Sequence, residues 1–162
     1  MSLDRIYHHY FYDVYHFLLS LCHDHYTAED LLQETFFRAY LHLVNYDGEH
    51  VKTWLFTVAR NAFIDHYRKH KKTLIKGDQF FTRLFDRKKE PLHTIIIDEN
   101  VKEIIQLIND LPEKHKHAVL LRDYHGFSYK EGAKVMDISL AYFKVLLFRG
   151  RQYIRNRKAE DQ

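Results

Sequence analysis

Residues Asp110 to Arg151, DLPEKHKHAVLLRDYHGFSYKEGAKVMDISLAYFKVLLFRGR, carry the punctuation of two short helices joined by a tight turn. Ser128 followed three residues later by Glu131 is a capping box, in which each side chain satisfies a backbone N–H that the first helical turn leaves orphaned. A helix therefore starts at Ser128 and is predicted to run to about Met136, where Asp137-Ile138-Ser139 places two turn-favouring residues around one apolar plug. Ser139 supplies a second cap, and Phe143, Leu146 and Leu147 recur at helical spacing behind it. The pattern is a helix-turn-helix, which presents its second helix outward with the dimensions of a DNA major groove.

Composition narrows the rest. Two prolines and five glycines in 162 residues leave little loop material and point to an all-α chain. No run of eighteen apolar residues and no basic-apolar-small leader occurs, so a cytoplasmic location is expected. The single Cys22 excludes an internal disulfide, and with no CxxC spacing there is no zinc module; Cys22 reads as a small apolar helix residue. The net charge of +3 is unevenly spread: residues 1 to 50 hold two Lys and Arg against eight Asp and Glu, whereas residues 51 to 90 hold eleven against four. A second basic zone, six against three, covers residues 137 to 162. Two separated basic zones suggest two contacts with a polyanion, since phosphate neutralisation is the main sequence-independent source of nucleic-acid affinity.

Along the chain, Ile6, Tyr10, Val14, Phe17, Leu18 and Leu21 predict a first helix over about Leu3 to His23. Thr27 with Asp30 resembles a capping box for a second helix ending near Asn45, and after the Tyr46-Asp47-Gly48 turn a third runs from near Trp54 to about His70. Trp54 is expected in the core. From Lys71 to about Leu92 the periodicity fades, as in a tether, although Phe80, Phe81, Leu84 and Phe85 argue that part of it is helical or docks on a surface. The strip Ile95, Ile96, Ile97, Val101, Ile104, Ile105 and Ile108 is too apolar for an isolated helix and must pack against the helix-turn-helix. Pro112 opens the helix that carries Ala118, Val119 and Leu121.

Three blocks, AEDLLQETFFRAY from Ala28, KTWLFTVARNAFIDHYRK from Lys52 and LPEKHKHAVLLRDYHGFSYKEGAKVM from Leu111, resemble in order and separation the bacterial RNA polymerase sigma factors of the extracytoplasmic-function (ECF) subgroup of the sigma-70 family. The resemblance implies two small helical domains: region 2 over residues 1–72, a linker over 73–93 and a region 4 helix-turn-helix over 94–162. It implies as partners the RNA polymerase core, promoter DNA and a cognate anti-sigma factor, often membrane-anchored, for which the apolar residues of the tether fit a wedge. Neither a small-molecule substrate nor a cofactor is expected. The implied function is that of an alternative sigma factor directing promoter-specific initiation, for stress or envelope response genes.

The resemblance also implies sites. Asp30, Gln33, Glu34, Phe37 and Arg38 match the block that docks on a coiled coil of the polymerase's largest subunit. Arg60, Asn61, Asp65, Arg68 and Lys69 match the helix that melts and reads the minus-ten element. Asn61 is the first choice for a base-edge contact, because an amide both donates and accepts, and the loop from Tyr46 to Val51 completes the pocket. Ser139, Lys144, Arg149 and Arg151 match the helix that reads the minus-thirty-five duplex. Val145 and Leu146 depart from the small polar residue and arginine common after that lysine, and Gly132 and Gly150 each cost a helix about 1 kcal/mol relative to alanine. Modest duplex affinity or an unusual sequence preference is the expected consequence.

Thirteen histidines raise a metal hypothesis, and His66 and His70 have the four-residue spacing of two ligands on one face, but no third ligand completes them. The strings His23-Asp24-His25 and Asp65-His66 do not guarantee the convergent carboxylates a metal-dependent nuclease needs. No phosphate loop or nucleophile elbow occurs, so the chain is not expected to be an enzyme. The alternative is a two-domain helix-turn-helix regulator that binds operator DNA without acting as a polymerase subunit.

Overall fold

A computed structural model describes the backbone of residues 2–42, 50–87 and 99–160. All regular structure among these residues is helical, and the chain divides into two compact units, Met1–Pro91 and Leu92–Gln162.

The first unit packs three helices, α1 (Leu3–Cys22), α2 (His25–His42) and α3 (Val51–Arg87), pairwise against one another. Ile6, Val14, Phe17, Leu18 and Leu21 of α1 meet Leu31, Leu32 and Phe36 of α2 and Leu55, Phe56 and Phe63 of α3 in one core, all buried. Phe17 and Phe56 lie at its centre with ring centroids 4.8 Å apart; each such side chain contributes roughly 1.5–3 kcal/mol by leaving water. The apolar face predicted for α1 is the buried one apart from half-buried Tyr10. Of the stripe that helical period predicts for α2, Leu31, Leu32, Thr35, Phe36 and Ala39 are buried, Tyr40 is 61% exposed and Leu43 lies outside the described residues, while Trp54 is only half-buried.

Two helix boundaries differ from expectation. α2 begins at His25, ahead of Thr27, because Asp24 is the residue that caps it: its carboxylate accepts from the Thr27 backbone N–H at 3.2 Å and from the Thr27 hydroxyl at 2.6 Å. His23, left-handed at φ 56°, ends α1 with its N–H on the Leu19 carbonyl, so only two residues separate the helices. His25 in turn is held between the Tyr15 hydroxyl at Nδ1 and Glu29 at Nε2. The His23-Asp24-His25 string therefore ends one helix, caps the next and ties α1 to α2. α3 continues past His70 to Arg87, through most of the expected tether. The periodicity fades after Lys71, but the stretch lacks a breaker: Gly77 costs only about 1 kcal/mol in a helix, and the first proline is Pro91. The expected Tyr46 to Val51 pocket falls mainly outside the described residues.

The second unit contains α4 (Glu99–Asn109), α5 (Glu113–Val119), a π-helical turn (Leu120–Tyr124), α6 (Tyr129–Met136) and α7 (Leu140–Glu160). Pro112 stands at the N-cap of α5. In the π turn, His125 N–H bonds the Leu120 carbonyl at 2.9 Å, one residue wider than an α-helix allows. Gly126 follows at φ +74°, a conformation that favours glycine. The capping box is present, with Glu131 N to Ser128 Oγ at 3.1 Å and Ser128 N to Glu131 Oε1 at 3.2 Å. Asp137, left-handed at φ 55°, closes α6, and the Ile138 N–H reaches back to the Ala133 carbonyl at 3.1 Å. Ser139 Oγ caps α7 by accepting from the Tyr142 N–H at 3.1 Å.

Phe143, Leu146 and Leu147 are buried under α7, which packs on α4, α5 and α6. Leu146 is thus core and does not alter the exposed face. The two glycines that looked costly are close-approach positions: a Cβ on Gly132 would stand 2.4 Å from the buried Phe143 ring, and one on Gly150 would stand 2.8 Å from Val119 Cγ2. Glycine lets α6 and α5 come close to α7.

Candidate nucleic-acid and polymerase interfaces

On α2, the core-facing positions leave Asp30, Gln33, Glu34 and Phe37 exposed, with Arg38 half-exposed beside them. Phe37 is 58% exposed, and Tyr40 and Leu41 extend the apolar surface by one turn. A phenyl ring on the outer face adds nothing to the bundle core; bounded by Gln33 and Glu34, it has the make-up of a protein interface, an aromatic anchor inside a polar rim. Arg38 links this helix to α3: Nε donates to Glu34 at 2.9 Å and Nη1 to Asp65 at 3.0 Å. The Glu34 hydrogen bond is the main influence raising the guanidinium pKa, so the side chain stays charged.

On α3, Asn61, Asp65 and Arg68 are exposed at spacings of four and three residues, and Lys69 is exposed beside Arg68. Arg60 is different: it is 8% exposed and does not join that surface. Asp65 is held by Arg38, which leaves Asn61, Arg68 and Lys69 as the outward polar set. A groove of about 300 Å³ between α2 and α3 is lined by Asp30, Glu34, Arg38, Asp65, His66 and Lys69, among others. Members of the two candidate sets thus share one depression. His66 and His70 stack face to face with centroids 4.0 Å apart, and His70 Nδ1 bonds the His66 carbonyl at 2.9 Å. Burial, then the neighbouring His70, lowers the His66 pKa. No group of three or more metal-ligating side chains comes together among the described residues.

In the second unit Ser139, Lys144 and Arg149 lie exposed along α7. Lys144 Nζ stands over the Tyr129 ring at 5.7 Å, and the Arg122 guanidinium covers the same ring at 4.8 Å. Arg122 also donates to the Phe127 carbonyl at 2.9 Å. Arg151 forms a two-pronged ion pair with Asp123, Nε to Oδ2 at 2.9 Å and Nη2 to Oδ1 at 2.5 Å, and this hydrogen bonding is the main influence raising its pKa. Its charge is therefore largely matched within the protein, and it fastens α7 to the π turn. Sequence reasoning missed Tyr129 and Arg122, because a cation placed by an aromatic ring requires knowing which helices meet.

His115 on α5 has a buried Nδ1 with no hydrogen-bond partner, and its pKa is lowered, first by burial and then by Arg149. The folded state thus binds the imidazole proton less readily than the unfolded chain does. Stability from this residue is full above the ordinary histidine value of about 6.5 and is lost as pH falls through the lower folded value. We expect His115→Gln to flatten the fall in melting temperature between about pH 7 and pH 5; an unchanged slope in thermal unfolding would refute this.

The sequence matches family models in the same two places: sigma-70 region 2 over residues 6–73 and sigma-70 region 4 over residues 102–154. The ECF RNA polymerase sigma factor SigM of Bacillus subtilis (strain 168) is 44% identical over 167 aligned residues, covering 100% of both chains. The ECF RNA polymerase sigma factor SigX of the same organism is 30% identical, covering 95% of this chain and 82% of its own. Among solved structures, the sigma factor RpoE from Bartonella quintana, crystallised with the anti-sigma factor NepR, has a TM-score of 0.81 at 24% identity and 98% coverage of each chain, a similarity of fold. CnrH, in complex with the cytosolic domain of CnrY, has a TM-score of 0.69 at 17% identity, covering 99% of this chain and 89% of its own. Two matched regions in the family's order, together with a relative aligned end to end, place this chain in the sigma-70 family, within its ECF subgroup.

Proposed function

We propose that the chain is an alternative sigma factor that binds RNA polymerase core and directs initiation at promoters of stress or envelope response genes. The observation that carries this reading is the occurrence of both sigma-70 regions on one short chain, each as a folded helical unit with most of its candidate residues exposed. Phe37, Gln33, Glu34 and Asp30 form the polymerase face, with Arg38 holding α2 against α3. Asn61 takes the flipped base of the melted minus-ten strand, while Arg68 and Lys69 follow its backbone. Ser139, Lys144 and Arg149 engage the minus-thirty-five duplex, while Arg151, paired with Asp123, acts from behind by fastening its helix. The tether between the regions is the stretch from about residue 73 to 93, and α3 stiffens its first part.

The chain itself performs no chemistry, and the polymerase supplies the catalysis. A cognate anti-sigma factor holds it inactive in the cytoplasm until the inducing stress arrives. No helix among the described residues is long and apolar enough to cross a membrane.

Run-off transcription with core enzyme tests the proposal. A promoter-specific transcript that appears only when the chain is added supports it. Operator binding by the purified chain, with no such transcript, would instead favour the stand-alone regulator.

A further inference from the structure

α7 buries Phe143, Leu146, Leu147 and Gly150, so the face opposite is Ala141, Val145, Phe148 and Gln152, at spacings of four, three and four residues. All four are exposed, Val145 at 42% and Phe148 at 61%. A helix face aimed at water ordinarily carries charge; here its first three turns are apolar. The charges stand to the sides, with Lys144 on one flank and Arg149 on the other, and α7 as a whole has six Lys and Arg against the single Glu160.

An apolar strip between cations calls for a partner with an apolar floor between anionic walls. The major groove of duplex DNA has that form wherever thymine presents its C5-methyl group between two phosphate backbones, and apolar side chains are the groups that recognise that methyl. The N-terminal part of a helix-turn-helix's second helix is the part that reaches base edges. Ala141 and Val145 lie within its first six residues, and Phe148 lies about 10 Å along the axis from Ala141. Lys144 is steadied over the Tyr129 ring, and Ser139 still has a hydroxyl proton to give to a phosphate.

We propose that Val145, flanked along the same stripe by Ala141 and Phe148, reads thymine methyl groups in the upstream promoter duplex. This rests on the sigma-factor reading above. Val145 then sets sequence preference, whereas Lys144 contributes affinity that is largely independent of sequence.

The test uses the full chain with core polymerase and promoters randomised over the upstream half-site. Productive templates are expected to be enriched in thymine, on either strand, at one or two positions. Uracil placed there removes only the methyl group and keeps base pairing. It should lower run-off by about fourfold, the size expected for one buried methyl. Val145→Ser should lower run-off to a similar extent on thymine templates and become indifferent to uracil, with an unchanged circular dichroism spectrum. Lys144→Ala, by contrast, should weaken thymine and uracil templates alike. Uracil without effect at any upstream position overturns the inference while leaving the sigma reading in place, and the wild-type chain alone decides this. A Val145→Ser chain still as sensitive to uracil as wild type overturns it too. So would loss of capture by a protein partner in Val145→Ser and Phe148→Ser when uracil has no effect, which would make the stripe a protein-docking face. Absence of any promoter-specific transcript across the library brings down both readings together.

Discussion

Replacing Gly132 with alanine will destabilise the C-terminal unit, although alanine is the better helix former. The added Cβ would stand 2.4 Å from Cζ and 2.8 Å from Cε2 of Phe143, a ring with no exposed surface. Overpacking of this kind costs about 1–3 kcal/mol, against a helix-propensity gain of about 1 kcal/mol. The net loss, up to about 2 kcal/mol, corresponds on a unit of this size to a fall in melting temperature of up to roughly 8–16 °C. Circular dichroism of the full chain would register it, while the fluorescence of Trp54, the single tryptophan, follows the N-terminal unit. Phe143→Leu removes the obstructing ring atoms, so Gly132→Ala should cost less in that background than in wild type. Wild-type stability or better in the single Gly132→Ala variant would show that α6 and α7 are not as close as their packing requires.

The second large effect belongs to Phe37. Its ring is mostly exposed on α2, beside Gln33 and Glu34, and the bundle core does not use it. Under the proposed function it is the apolar anchor of the polymerase interface, and such anchors cost at least about 2 kcal/mol when truncated. Phe37→Ala should therefore weaken binding to core polymerase by about thirtyfold or more, while the melting temperature moves by no more than a degree or two. Titration of fluorescently labelled core enzyme measures the first and thermal unfolding the second. Equal binding by wild type and variant would remove Phe37 from the interface, and a large drop in melting temperature would recast it as structural.

What could be read from the sequence was local. The Ser128–Glu131 box and the Ser139 cap are patterns of neighbouring residues whose chemistry closes within one turn, and both stand where expected. Most of the apolar stripes of α1 and α2 was equally legible, because helical period sorts a helix's faces, although Tyr40, which the period also puts on the α2 stripe, is exposed. The start of α2 was misplaced because Asp24 and Thr27 compete for the cap, and only the backbone turn at His23 decides between them. The length of α3 was underestimated because charges crowding a stretch of faded periodicity look like linker, although no residue before Pro91 forbids a helix and Phe80, Phe81, Leu84 and Phe85 pointed to one in part of it.

The sites divided in the same way. Exposure of Asn61, Arg68 and Lys144 followed from their spacing, yet the engagement of Arg38 with Asp65 and of Arg151 with Asp123 joins residues 27 and 28 positions apart. The place of Arg60 in the interior and the approach of α6 to Phe143 likewise depend on how helices cross, which periodicity does not encode.

The π turn at Leu120–Tyr124 bears on how such a chain can change over time. A π turn amounts to an α-helix that has accepted one surplus residue, and the surplus sets the angle at which everything downstream leaves. Shedding that residue would restore a regular spiral, but it would also swing the capping serine at 128 and all that follows by about a hundred degrees around the axis. A single-codon deletion here would therefore misdirect the whole reading head at one stroke.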